Sequence, residues 1–469
     1  SWDYKLFDEY RSFIRRPNPV AQPPDKFRIL FERRDGQWIK NPFGQLLEDI
    51  YARDRLKRFG YGARLIRRLP SELREKLEEN NIPRWEHIWI GDQIPETVEH
   101  SRGHSSRVME YAASLLEPMF AENPDFLTGK ELYCLICCLW LHDVGHTALR
   151  FRLPDNKVVP IALFPSLVRM LHNLLSYQRI LKCEYLPNGE REAVALISKY
   201  DRAAIPLKGE DTWDKGKVFG ITVGALEKEV PEEGIDFGGV KISKDKVLLL
   251  CSLLRVIDAL DVQSDRVVDE HYWAERRQRT REEVDYYMNL LEQRLPLLDS
   301  CQTELKGCIE QLYEEIKCAY KKWNESLRNC LDWKAADEVR EALEGALEGK
   351  MAEVVRKILD LNDDLERELL LGTLSLLDRI GFKMLQEAHF RKHSRVKLVY
   401  LTYYKDDDNI KYRIQMVFDP DIEITEEQKR KIAGEIWKEV EKVKDILEDN
   451  GLHFEGIFED EKRLQGGNG

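Results

Sequence analysis

Leu139-Trp140-Leu141-His142-Asp143-Val144-Gly145-His146 closes an apolar run that starts near Leu132, and it does so with three potential metal ligands close together. Two readings fit these residues. In one, His142 and His146 meet the negative end of a helix dipole and Asp143 caps a loop. In the other they belong to a metal site, which must then draw further ligands from elsewhere in the chain.

Working outward, residues 97–121 follow the helical i, i+3, i+4 rule through Val108, Tyr111, Ala112, Leu115 and Leu116, with His100 and His104 one turn apart. A loop at Asn123-Pro124 follows, and Thr128 with Glu131 makes a capping box that starts the next helix. That helix is apolar almost all round, so it is the expected buried helix of a bundle. Antiparallel helices joined by a short loop bring together residues equally far from the turn. His104 and His142 lie within about one turn of that condition, so His104 can reach the His142-Asp143 pair.

A third helical pattern carries Leu167, Met170, Leu171, Leu174 and Leu175 around His172, and a fourth covers 191–200. Residues 203–245 are rich in Gly, Pro and charge and read as a long insertion with a short hairpin, either a surface loop or a lid. The next helix, 244–260, is apolar through Val247, Leu250, Leu254 and Ile257 yet carries Asp258 and Asp261. A buried aspartate needs a partner or a metal. Asp258 is the candidate for the missing carboxylate, and an Arg255–Asp258 ion pair is the structural alternative.

His104, His142-Asp143 and Asp258, each near a helix end, resemble the HD-domain superfamily of metal-dependent phosphohydrolases. His104-Ser105-Ser106-Arg107-Val108 looks like that family's first ligand helix and Leu141 to His146 like its doublet. Leu253-Leu254-Arg255-Val256-Ile257-Asp258-Ala259-Leu260-Asp261 looks like its last ligand helix. The resemblance implies that His104, His142, Asp143 and Asp258 bind a divalent transition metal (Mn, Fe, Co, Ni or Zn, with Mg also admissible). Its implied role is to lower the pKa of a water and offset phosphoryl charge. Relatives with a second metal often place a histidine after the tyrosine that ends the next helix, whereas this chain has Tyr200-Asp201. One tightly held metal is therefore expected, with Asp143, His146 and His172 in catalytic roles, the histidines contacting phosphate or activating water. Arg107, Arg150, Arg152, Lys199, Arg202 and His100 flank these motifs as candidate substrate-binding groups.

The implied activity is hydrolysis of a nucleotide or other phosphate ester, with deoxynucleotide triphosphohydrolase or phosphodiesterase as subtypes. The alternative is a non-catalytic nucleotide-binding module, regulatory or scaffolding. The overall layout resembles HD modules found beside or fused to chaperone-type ATPases in prokaryotic conflict systems.

Bulk properties agree with a soluble chain. Its 469 residues allow two to four domains, and 43% apolar residues suffice for real cores. The net charge of −12 argues against a surface wholly devoted to nucleic acid or anionic lipid, so a small-molecule phosphate or nucleotide is favoured over nucleic acid. The apolar runs at 132–141 and 247–254 are too short to span a bilayer, and Ser1-Trp2-Asp3-Tyr4-Lys5 lacks a signal-peptide h-region, so the chain reads as cytoplasmic without a membrane partner. Cys134 and Cys137 on the apolar helix read as buried thiols, because no second pair supports zinc or redox chemistry.

The expected fold is mainly α. Residues 1–94 form an N-terminal arm and helices, including a Pro-rich break and helices at 45–59 and from Ser71. An HD-type helical core spans 95–265 and a helical appendage 266–390, and 391–460 forms a small α/β (ββαβ) module. In that module 396–404 and 410–418 read as strands, and Thr425 with Gln428 as a second capping box. The tail 461–469 reads as disordered. Homo-oligomers through the appendage or the C-terminal module are a further expectation.

Overall fold

The computed structural model describes residues 28, 31–34, 37–40, 62–88, 102–262, 270–328, 333–393, 395–407, 409–420 and 424–466. They fall into two units, Ser1–Ala63 and Arg64–Gly469. In the first, β1 (Phe31–Arg34) and β2 (Gln37–Lys40) pair antiparallel. The Pro-rich arm, the helix expected at 45–59 and His100 lie outside the described residues.

α1 (Gly62–Arg68) spans the boundary at Ala63, and in the second unit α2 (Ser71–Glu75) runs through a wide turn, Lys76–Asn81, into α3 (Ile82–Ile88). The helix expected from Ser71 does begin there, with Pro70 preceding it and no side-chain cap bond. Next come α4 (Arg102–Glu122) and α5 (Gly129–Leu141), which pack together. Thr128 and Glu131 form the expected capping box. Every residue from Leu132 to Leu141 is buried, each large apolar side chain contributing about 1.5–3 kcal/mol. The buried thiols of Cys137 and Cys138 are free, and desolvation raises their pKa values well above the ordinary range, so they act as small hydrophobes.

After a tight turn (Val144–Thr147), β3 (Phe151–Arg152) pairs with β4 (Val158–Val159), and α6 (Pro165–Leu181) packs on α7 (Asn188–Lys199) and back on that turn. The expected insertion is neither an open lid nor a bare surface loop. Ile205, Leu207, Trp213, Phe219 and Phe237 are buried, and Trp213 and Val223 exchange backbone hydrogen bonds of 2.8 and 2.9 Å. It contains α8 (Leu226–Glu229) and the anticipated hairpin, β5 (Ile235–Phe237) with β6 (Val240–Ile242). Gly238 and Gly239 turn that hairpin with φ of 59° and 80°, the left-handed pair a tight two-residue turn demands. Then α9 (Lys244–Ala259), capped by Ser243, packs against α4, α5 and α7.

The appendage comprises α10 (Glu270–Arg294), α11 (Thr303–Arg328), α12 (Trp333–Glu344), α13 (Met351–Leu359) and α14 (Asp364–His393). α12 runs through a π-helical stretch, Gly345–Lys350, into α13. α14 docks on α6, where Asp378 accepts hydrogen bonds from the Ser166 backbone N–H (3.0 Å) and hydroxyl.

In the C-terminal module β7 (Val396–Asp406) and β8 (Asn409–Phe418) are antiparallel, and α15 (Glu426–Glu448) carries the chain to β9 (Leu452–Glu459), parallel to β8. A helical crossover is the usual way to join parallel neighbours. Thr425 and Gln428 form the second capping box. The tail departs from expectation: β10 (Lys462–Gln465) pairs with β9 and buries Leu464, giving the order β10-β9-β8-β7. Among the described residues no helix is long and apolar enough to cross a membrane.

Burial pushes the Asp378 carboxyl up to about 7, against the hydrogen bonds from Ser166. Between the ordinary carboxyl range and pH 7 the native state thus holds a proton that the unfolded chain has lost, so this group lowers stability as pH rises through that window. Asp378→Asn removes the slope. Its stability relative to wild type should improve by about 1–3 kcal/mol from pH 5 to pH 8 in denaturant unfolding; a pH-independent difference would reject the assignment.

Candidate metal centre

α5 ends at its C-cap His142, and Asp143 adopts φ −97°, ψ 2° to start the tight turn. The turn lies directly on α6. A Cβ at Gly145 would come within 2.3 Å of the His172 carbonyl oxygen and 2.4 Å of the Ser176 nitrogen. Only glycine allows this approach, and its N–H donates to Ser176 Oγ at 2.8 Å. The contact brings His146 over His172, their rings stacked at 5.0 Å and 15°.

On the other side of Asp143, α4 supplies His104 and α9 supplies Asp258. His104 Nε2 is 2.9 Å from Asp258 Oδ1, 3.3 Å from His142 Nε2 and 3.5 Å from Asp143 Oδ2. His142 Nε2 is 3.4 Å from Asp258 Oδ1 and 3.5 Å from Asp143 Oδ2. The antiparallel pair α4–α5 thus brings His104 and His142 into direct approach, as their distances from the intervening loop require. A second group shares the doublet aspartate: Asp143 Oδ1 lies 3.8 Å from His146 Nε2 and 3.9 Å from His172 Nε2. Within each group the donor atoms lie within 4.8 Å of one another.

The outer hydrogen bonds fix the chemistry of these rings. His104 Nδ1 is 2.6 Å from Asp261 Oδ2, His142 Nδ1 is 3.2 Å from the Leu139 carbonyl, and His172 Nδ1 is 2.8 Å from the Arg169 carbonyl. Each partner is an acceptor, so each Nδ1 carries a hydrogen and each Nε2 faces inward, free to bind a cation once its own proton is displaced. Two such Nε2 atoms face one another among carboxylates in a buried site, which is a donor set that fits a cation. Without a cation, protons take its place. Burial lowers the His142 pKa, but Asp143, Asp258 and Asp201 outweigh it and push it up to about 10. Burial alone would raise Asp258, yet hydrogen bonds from His104 and His142 hold it well below the usual carboxylate range. Its side chain keeps 35% exposure, which marks the open side of the site.

Several expected substrate-binding groups are engaged elsewhere. Arg107 is buried behind His104, and its Nε donates to both Asp261 oxygens at 2.8 and 3.0 Å. Lys199 binds Glu229 at 2.7 Å and lies over the Tyr177 and Tyr200 rings. Arg202 donates to the Met170 carbonyl and packs on Trp213. Arg150 is exposed, on a cavity that none of the clustered histidines and aspartates line. Arg152 uses its backbone to exchange hydrogen bonds with Gln178. The Arg255–Asp258 alternative is not what forms: Arg255 donates to the Ile205 carbonyl (3.1 Å) and to Glu439 Oε2 (3.4 Å).

Four residues escaped the sequence reading. Asp261 orients His104; its i+3 spacing from Asp258 was visible, but not which of the two faced inward. Asp201, noted only as a departure, lies 3.7 Å from His142 Nε2, and burial beside Asp258 pushes its carboxyl up to about 8. Arg169, one turn before His172, stays exposed in a cleft crowded enough to lower its pKa, facing the fields of Glu344, Glu348 and Glu435. Glu439, on α15, accepts from the Ala203 N–H at 3.2 Å as well as from Arg255. No local pattern marks the last two.

If Asp261 sets the His104 tautomer, Asp261→Asn should weaken metal affinity by about 10–100-fold in chelator competition, with helical circular dichroism retained. Unchanged affinity would remove Asp261 from the site's support.

Residues 94–283 match the family model HD-CE. No curated protein and no solved structure matches the chain. The matched segment contains every residue of both donor groups, and the helical core that they occupy is an HD domain.

Proposed function

We propose that this chain is a metal-dependent phosphohydrolase acting on a nucleotide or a similar phosphate ester through its HD site. The observation that carries the reading is the pair of donor groups joined at Asp143, with the Nε2 atom of each imidazole turned inward. A divalent cation held by His104, His142, Asp143 and Asp258 would supply Lewis-acid polarisation of a phosphoryl oxygen and a lowered pKa for water. Mixed imidazole and carboxylate donors suit Mn, Fe, Co, Ni or Zn, with Mg admissible.

The protein's own groups do the rest. Asp261 and the Leu139 carbonyl keep His104 and His142 oriented. Asp143, His146 and His172 offer a second set of three donors beside the first, which supports a second, more weakly held ion in spite of Tyr200-Asp201. Arg169, free and exposed one turn from His172, is the cation best placed to meet the phosphate. Kinship with the HD modules that accompany chaperone-type ATPases rests on the layout alone and says nothing about substrate.

The rival is a module that binds nucleotide without turnover. Metal analysis and a panel of phosphomonoesters, phosphodiesters and nucleotides with each divalent ion separate the two. Wild type should turn over at least one, and His142→Ala with Asp143→Ala should abolish both turnover and the tightly held metal. A silent wild type that still binds nucleotide would favour the rival. Metal titration should find two sites per chain, reduced to one in His172→Ala; a single site in wild type would instead assign His146 and His172 to the phosphate.

Arg169→Ala should lower kcat/KM by about 10–100-fold, the usual cost of one charged hydrogen bond to phosphate, with metal content unchanged. Full activity would exclude it from the substrate site.

A further inference from the structure

α6 carries His172 to Asp143 and then continues past the site. Leu175 and Arg179, on the same helical face one and two turns further on, line a separate cavity of about 530 Å³. None of the clustered histidines and aspartates contributes to its wall. Its apolar floor is Leu141, Val144 and Leu175. Arg150, Arg179 and Lys182 supply three cations, against the single carboxylate of Glu184.

Two features point to an anionic ligand. Arg179 Nε is buried without a hydrogen-bond partner among the described residues, and a buried donor left unmet is unfavourable. No ion pair engages Arg150, Arg179 or Lys182 among the described residues, whereas Arg107, Lys199 and Arg202 are committed to partners. The volume lies in the range of small-molecule sites, and an apolar floor with a few convergent polar groups is their usual make-up.

We propose that this cavity binds an organic phosphate the size of a mononucleotide, with its phosphate on Arg150, Arg179 and Lys182 and its apolar body on Leu141, Val144 and Leu175. Leu141 and Val144 flank His142-Asp143 in the chain, so the ligand rests on the turn that carries the metal-site doublet. Binding here does not depend on the phosphohydrolase reading.

The test is AMP and phenyl phosphate binding to the full chain by calorimetry, with EDTA present to silence the metal centre. Saturable binding is expected. Arg150→Glu, at an exposed position, and Arg179→Ala should each weaken it at least tenfold, while Arg169→Ala, in the other cleft, should leave it unchanged. Inorganic phosphate should bind at least tenfold more weakly than AMP, because it lacks the apolar body. The proposal is overturned if neither organic phosphate binds, if binding survives Arg150→Glu in a variant with wild-type melting behaviour, or if Arg169→Ala abolishes it. These outcomes stand apart from turnover: an inactive protein that passes would keep this site and lose the phosphohydrolase reading.

Discussion

Asp143, Asp201 and Asp258 crowd around imidazoles whose Nε2 atoms face one another, and the HD core is built around that electrostatic load. Buried charges left unpaired cost several kcal/mol each, so such a cluster holds only if rigid surroundings fix it and a cation balances it. The surroundings are visible. Asp261 is held between His104 and Arg107, His142 points Nδ1 at the last carbonyls of α5, and Gly145 lets the doublet turn sit on α6 without a gap. The apolar packing of α5 places these groups, and their outer hydrogen bonds orient them.

The C-terminal module bears on the same site. α15 packs along α9, the helix that carries Asp258 and Arg255. From there Glu439 joins Arg255 to the Ala203 backbone, just after Asp201. On the sheet side, the Tyr412 hydroxyl donates to the Leu115 carbonyl at 2.6 Å and the Tyr111 hydroxyl to the Val399 carbonyl at 2.9 Å, tying β7 and β8 to α4. The module therefore braces the two helices that supply His104 and Asp258. A role in association with other copies would have to use its remaining surface, such as the exposed Tyr400, Tyr403 and Tyr404 of the edge strand β7.

What the sequence disclosed was local or periodic. Capping boxes at Thr128 and Thr425, the apolar run of α5 and the alternation of β8 each repeat a short-range rule, and the structure follows them. His104 became legible because hairpin geometry relates it to His142 with few free parameters. The failures were of another kind. Which cation stays free and which is consumed depends on partners far away in the chain, so Arg107 looked like a phosphate ligand while Asp261, its partner, lay 154 residues further on. β10 has little apolar content of its own and exists because β9 offers an edge. The insertion hid its buried side chains among glycines and charges, so composition suggested a loop where packing makes a layer.

The doublet turn also explains why one short stretch dominates the chain. Residues 141–146 contact three environments in succession. Leu141 and Val144 face the Arg179 cavity, His142 and Asp143 face His104 and Asp258, and His146 faces His172. Gly145 fixes all three at once, because any side chain there would lift the turn from α6 and separate His146 from His172. A displacement of the turn large enough to open one environment must disturb the other two, since close-packed interiors do not deform continuously. The cavity wall and the metal centre thus share one short turn, with Leu141 and Val144 on one side of it and His142 and Asp143 on the other.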